Sequence, residues 1–393
     1  MKTITSKLYP YRYLLTTILI ATLAAQPLFG LGLLNTRGGG DSPFLLQRLH
    51  QLVAMLYDGN FPVRWMPDAN YGHGYPFFHY YAPLSLYITA LFKFTGFAYT
   101  TSIQLSQLTA FIVAALGTYA LLRQWQKPQL TALLAAAAYT IAPFHLVNVY
   151  VRGDSLAEFW AMAFYPLILL TADRYLLQPD NRRLALNALS YTALILSHQI
   201  SAMIFSPFYL LYLLLGHFCH HPTQRHQPLP WLRTILPILL GFALSAWFFV
   251  PALAATADAQ LTAVTDGYFH YSNHFRGFDL TQTSLLFDFD VAAGGAFRMS
   301  LPQTLLATLG LLTLLYTHFR PQPDQQPSHH PHLLITLALC FVATFMITPL
   351  SAPLWRFLPL LDFTQFPWRF LSVQALGTSL LIASLGQLPR PQL

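Results

Sequence analysis

Residues 37–83 read RGGGDSPFLLQRLHQLVAMLYDGNFPVRWMPDANYGHGYPFFHYYAP and follow an apolar run from Tyr13 to Leu34. That run has Lys2, Lys7 and Arg12 before it. It is longer than a signal-peptide core and long enough to cross about 30 Å of hydrocarbon, which predicts a retained first span with its N-terminus in the cytoplasm. The segment after it is the first polar, aromatic-rich stretch beyond a membrane anchor. Gly38, Gly39 and Gly40 free the backbone just before Asp41, and Ser42-Pro43 reads as an N-cap followed by proline at the first helical position. A carboxylate is thereby delivered beside a helix N-terminus. Leu45, Leu49, Leu52, Val53 and Leu56 recur at helical spacing, with Gln47, Arg48, His50 and Gln51 largely between them, as in an amphipathic helix lying at an interface. Asp58-Gly59 ends the pattern. The remainder, to Pro83, holds too much Pro, Gly and aromatic residue to span, and reads as an ordered loop at headgroup depth.

Composition sets the class. Hydrophobic residues make up 55% of the 393 and charged residues 9%, too few polar groups to cover a soluble domain of this length. The expectation is an all-α, polytopic membrane protein forming a single unit over 1–393. The net charge of +7 is spread over short loops with no basic run or recognition motif, which argues for cytoplasmic loop anchoring and against nucleic-acid binding. Cys219 and Cys340, the two cysteines, show no CxxC spacing and indicate neither a disulfide framework nor a zinc site.

Ala82 to Phe97 is apolar but short and contains Pro83 and Lys93, so it is either a second span or a juxtamembrane helix returning to the same side. Charge decides between these. If it does not cross, the later spans fall near 103–122, 130–149, 157–177, 185–199, 200–217, 232–254, 301–319, 333–350 and 370–388, and Arg123, Lys127, Arg182, Arg183, Arg225, Arg233 and Arg320 all lie on the side of the N-terminus. The reading is about ten transmembrane helices in the plasma membrane, with Ser197-His198-Gln199 marking a break between two of them. The outer face then collects a large first loop with juxtamembrane helices (35–100), the short loop around 150–155, a long loop (255–300) and a loop before the last span (350–370).

The outer loops hold the residues that suit chemistry. Asp41 is either a helix cap or a metal ligand or general base. Asp154 and Glu158 lie four apart, so a helix beginning at Asp154 puts both carboxylates on one face. They serve either as metal ligands or as dipole-complementing acids paired with Arg152. His50, His73, His79, His145 and His198 lack metal-ligand spacing; among them His73 and His79, on the glycine-rich aromatic loop, are placed for contacts to a phosphate or sugar. In LSAPLWRFLPLLDFTQFPWRF (350–370), Arg369 is either a snorkelling anchor or a clamp on a lipid phosphate. No GxSxG, Walker or GxGxxG motif is present, which counts against nucleotide-driven mechanisms.

This layout resembles the GT-C superfamily of integral-membrane glycosyltransferases: a first span, an outer loop with an early acid (Gly40-Asp41), then two spans later an outer loop carrying Pro143, Arg152, Asp154 and Glu158. The strings GDSPFLLQRLHQL, GNFPVRWMPDANYGHGYPFFHYYAPL, RGDSLAEF, LSHQISA and LPLLDFTQFPWRFL resemble uncharacterised bacterial membrane proteins labelled "6-pyruvoyl-tetrahydropterin synthase-related". Nothing in them resembles the soluble pterin enzyme or its three-histidine zinc site. The resemblance implies sugar transfer from a polyprenyl-phosphate donor on the outer face. Asp41 would be the catalytic acid of the first loop, Asp154 and Glu158 the ligands of Mg²⁺ or Mn²⁺, and Arg152, Arg369 and His73 the groups that neutralise the phosphate. Trp65 and Tyr75 would line the sugar or prenyl groove. Two departures stand out: Ser42 follows Asp41 where paired acids are usual, which counts against metal dependence, and the large soluble C-terminal domain of many members is absent. A transporter or flippase of a lipid-linked sugar, and a non-catalytic assembly subunit, are the alternatives.

Overall fold

A computed structural model describes residues 11–30, 42–153, 155–220, 228–277, 279–290, 295–319 and 330–387. Among them the chain is helical, with no strand and only two isolated bridges, Met66 with Tyr75 and Thr281 with Met299. The main helices are α1 (Arg12–Ala25), α2 (Ser42–Tyr57), α3 (Leu84–Phe94), α4 (Tyr99–Gln124), α5 (Gln129–Thr140), α6 (Leu156–Leu177), α7 (Asn181–Ser197), α8 (Gln199–His220), α9 (Pro228–Ala254), α10 (Leu301–Phe319), α11 (His330–Leu337, continuing to Ile347), α12 (Ala352–Phe357) and α13 (Leu371–Ala383).

Each of the ten apolar segments carries a helix, and not all of them meet the length and apolarity of a lone span. Among the described residues six helices are long and apolar enough to cross alone, or up to eight if each of two bent pairs is one span. The 130–149 segment breaks between α5 and Pro143–Val151 with a 41° bend at Ile141-Ala142-Pro143, because proline cannot donate to the helical ladder. The 333–350 segment turns by 88° into α12. The helix over 185–199, α7, has only 17 residues and opens on Asn181-Arg182-Arg183. α3 has 11 residues, about 16 Å of helix, which is half the hydrocarbon thickness, so the 82–97 segment does not cross.

The centre is built from helices that are apolar all round. In α6 and in the Pro367–Gln387 segment 83% of the apolar window is buried, against 22% in α1 and α9, which form the periphery. α6 packs on α4, α7 and α8, and α13 packs on α5 and α10. Small residues let backbones meet around α13: a Cβ at Gly310 would lie 2.0 Å from the Leu381 carbonyl oxygen, and one at Gly377 2.5 Å from the Cys340 nitrogen.

The four predicted outer loops gather at one end of the bundle. Tyr80 Oη donates to the Ala255 carbonyl (2.9 Å), Arg276 N to the Ile347 carbonyl (2.9 Å), and Gln365 Nε2 to the Val264 carbonyl (2.8 Å). α2 buries Leu45, Leu49, Leu52 and Val53 as its pattern predicts. Gln51 is buried too, where the sequence puts it between the apolar positions, and its Oε1 accepts from Asp68 N (2.9 Å). Which side of the membrane this end faces is a direct expectation of the charge pattern. With Cys219 and Cys340 replaced, Asn60→Cys and Ser272→Cys on intact cells should react with a membrane-impermeant maleimide, and Gln126→Cys and Asn181→Cys only after permeabilisation; all four positions are exposed.

Candidate functional site

At the loop end of the bundle, Gly153 takes φ +69°, which lets the chain reverse from the Pro143–Val151 segment into α6. The reversal sets Arg152 opposite Glu158 in the first turn of α6. Glu158 is 2% exposed, and its Oε2 accepts from Arg152 Nη1. The same Nη1 donates to Asn148 Oδ1 (2.7 Å), one helical turn back, and Asn148 in turn donates to the Phe144 carbonyl (2.8 Å). From the far end of the chain, the 3₁₀ turn Pro367–Phe370 delivers Arg369, with Nε 3.9 Å from the same Glu158 oxygen. Arg369 is 6% exposed, so it is a buried partner of a carboxylate and not a snorkelling anchor. Its Nη1 donates to the Thr364 carbonyl (2.9 Å) and to Gln365 Oε1 (3.2 Å).

Aromatic rings wall this centre. The Arg152 guanidinium lies 5.4 Å over Trp368, which stacks on Phe297 (4.0 Å, 19°) and Phe366 (4.7 Å, 18°) and meets Phe144 edge-on (5.9 Å). His198, in the break between α7 and α8, lies within electrostatic range of Glu158, and its Nδ1 pairs with Ser201 Oγ (2.8 Å). Two guanidiniums thus converge on one carboxylate, whose Oε1 has no hydrogen-bond partner among the described residues. The arrangement suits an anion approaching from the loop side.

The first-loop candidates stand elsewhere. Met66 and Tyr75 exchange backbone hydrogen bonds (2.8 and 2.9 Å) and close a turn in which Gly74 has φ +81°. A Cβ on Gly74 would lie 2.2 Å from the Trp65 indole nitrogen, so the ring packs flat on the glycine. Trp65 and Tyr75 remain 44% and 54% exposed, and His73 is exposed. His79 Nε2 meets the Pro251 carbonyl at the end of α9 (3.1 Å). Among the described residues, no contact joins these four side chains to Arg152, Glu158 or Arg369. The link is indirect: Gln199, next to His198, binds Ala82 N (3.2 Å) and the Tyr80 carbonyl. Asp41 and Asp154 lie outside the described residues.

A family model described as 6-pyruvoyl-tetrahydropterin synthase related domain, membrane protein, matches residues 78–388. The chain belongs to this family. An uncharacterised protein of Lactococcus lactis subsp. cremoris (strain MG1363) is 25% identical over 212 residues, 53% of this chain and 34% of that one. Among solved structures, the Archaeoglobus fulgidus oligosaccharyltransferase in the apo form superposes with TM-score 0.52 at 16% identity, covering 94% of this chain and 50% of that one. The mycobacterial arabinofuranosyltransferase AftD gives 0.56 at 14%, covering 97% and 24%. ArnT from Cupriavidus metallidurans, bound to undecaprenyl phosphate, gives 0.53 at 11%, covering 96% and 60%. The fold is therefore GT-C-like. This family member spans about half the archaeal chain, a quarter of AftD and a third of the Lactococcus relative.

The family member has a second buried polar centre, which the sequence reading missed. Asp173 on α6 accepts from Gln124 Nε2 (3.0 Å) and Tyr212 Oη (2.7 Å) and pairs with His332 Nε2 (2.9 Å), whose ring stacks on Trp125 (4.2 Å, 15°). Fifteen residues of helix separate Asp173 from Glu158, about 22 Å, so the two centres lie near opposite ends of α6. An acid inside an apolar run was the available signal.

The long loop carries its own charge cluster. Asp279 Oδ2 lies 2.8 Å from Arg298 Nη2 and 3.6 Å from Arg276 Nη1. Partial burial pushes the Asp279 carboxyl up, and the two guanidiniums outweigh it and leave it below the usual carboxylate value. The stabilisation is therefore present above that usual value and is lost as pH falls through the depressed one. The difference in melting temperature between the native chain and Asp279→Asn should shrink below about pH 4. A larger effect is expected at Glu158: Glu158→Gln leaves two guanidiniums facing a neutral amide, and breaking such a pair costs about 3–5 kcal/mol, measurable by thermal unfolding in detergent.

Proposed function

We propose that this protein moves a sugar from a polyprenyl-phosphate-linked donor to an acceptor at the outer face of the plasma membrane. The observation that carries this reading is the pair Arg152 and Arg369, brought from distant parts of the chain onto one buried carboxylate at the loop end, behind an aromatic wall. The archaeal oligosaccharyltransferase has been solved with a dolichol-phosphate and ArnT with undecaprenyl phosphate, and both share this fold.

In the proposed chemistry the guanidiniums accept the growing negative charge on the lipid phosphate as the glycosidic bond to it breaks. Glu158 holds them at the right separation and limits their net charge. Asp41 takes the proton of the acceptor hydroxyl. Trp65 and Tyr75, exposed on the first loop, stack on sugar or prenyl groups, and His73 reaches the headgroup; His79 anchors that loop on α9. Of the two acids proposed to hold a divalent cation, Asp154 lies outside the described residues. No three of His, Cys, Asp or Glu stand together among them, and Glu158 Oε2 is already held by two cations.

A carrier of lipid-linked sugar is the second reading, and Asp173, buried within a span, is the observation in its favour. One set of measurements separates them. With a prenyl-phospho-sugar donor, Asp41→Asn should fold and insert but lose turnover by about 10²–10⁴-fold, and Arg369→Lys should weaken undecaprenyl phosphate binding nearly as much as Arg369→Ala because a point charge cannot replace the guanidinium fork. Full turnover in Asp41→Asn, with lipid movement across vesicles lost in Asp173→Asn, would put the carrier ahead.

A further inference from the structure

The corner that carries Arg369 is built in a conformation that side-chain-bearing residues avoid. Gln365 has φ +63° and ψ −48°, and Phe366 N donates to the Thr364 carbonyl (2.6 Å) across it, which makes a γ-turn of the rare, strained kind. Glycine would take this backbone at less cost, yet the position holds a glutamine whose amide is used at both ends. Nε2 donates to the Val264 carbonyl of the long loop (2.8 Å), and Oε1 accepts from Arg369 Nη1 (3.2 Å). The Thr364 carbonyl also accepts from Arg369 Nη1 (2.9 Å), so the turn presents two acceptors to one guanidinium nitrogen. The neighbouring Thr364 hydroxyl is fully buried and has no hydrogen-bond partner among the described residues, as in a corner held by its surroundings and not relaxed into its own minimum.

Those surroundings come mainly from the long loop. Phe366 sits between Trp368 on one side and the His274 ring (4.6 Å), Phe269 (6.1 Å) and Tyr268 (6.3 Å) on the other, and the Arg369 guanidinium lies 5.1 Å over the Phe366 ring. Gln365 is thus the one residue whose side chain touches both the long loop and Arg369 by hydrogen bonds among the described residues. We infer that Gln365 is a positioning residue: its strained turn aims the Arg369 guanidinium at the phosphate of the lipid-linked substrate and makes that aim depend on the docking of the 255–275 arm of the long loop. The inference rests on the reading of Arg152 and Arg369 as a phosphate clamp.

The test uses the full chain in detergent with undecaprenyl phosphate as the probe, binding read by native mass spectrometry and stability by thermal unfolding, for Gln365→Gly, Gln365→Met, Arg369→Ala and the double variant Gln365→Gly/Arg369→Ala. Glycine relieves the backbone and removes both hydrogen bonds, so its melting temperature should equal or exceed that of the native chain while affinity falls about tenfold, the scale of a hydrogen bond to a charged group. Methionine keeps the strain and should lower both. The double variant should bind no more weakly than Arg369→Ala, since a positioning residue has nothing left to position. Affinity that follows melting temperature across the variants, or native affinity in Gln365→Gly with Arg369→Ala impaired, overturns the inference and leaves the clamp standing. Native affinity in Arg369→Ala overturns the clamp, and the positioning role falls with it.

Discussion

A carboxylate inside a helix bundle at a membrane must be paired, since the desolvation of each ion costs several kcal/mol, and Glu158 meets that requirement with two guanidiniums. Much of the loop end follows from this. The Gly153 reversal brings Arg152 to it, the Pro367–Phe370 turn brings Arg369, and the rings of Trp368, Phe297, Phe366 and Phe144 pack beside the cations. α6 is the axis of the arrangement, with Glu158 at its first turn paired to two arginines from loop and turn, and Asp173 near its last bonded by side chains of other helices.

The same centre explains how loops far apart in sequence act as one surface. The long loop supplies Phe297 to the Trp368 stack and Val264 to Gln365, and the first loop is tied by Tyr80 to Ala255 and by Ala82 to Gln199, beside His198. The two arginines are thereby held beside aromatic residues. The GT-C-like superposition fixes the frame in which they sit, and the residues themselves supply the chemical argument.

Periodicity and hydropathy are local properties, and what depends on them was legible. The amphipathic face of α2, the stop at Asp58-Gly59, the helix over each apolar segment and the break at His198 all follow from residues within one or two turns of each other. The pairing of Arg152 with Glu158, six apart, was one of the two readings that the sequence left open. The role of α3 needed length as well: apolar composition allowed a span, and 11 residues forbid one.

What the sequence by itself determined is the class, an all-helical membrane protein with its polar and aromatic residues concentrated in a few loops, because burial in lipid demands apolar runs that any reader of the chain can see. Only the tertiary structure decided what those loop residues do. Arg369 read as either a snorkelling anchor or a phosphate clamp until the fold carried it to Glu158, and the turn on Gly74 and the tether of His79 to α9 are contacts that the sequence did not show. The positive φ of Gln365 leaves no mark on its neighbours in the chain, and the acid in the apolar run at Asp173 does not name its partner His332, 159 residues away. Pairing in a low dielectric is decided by which elements meet, and that is a property of the fold and not of any local window.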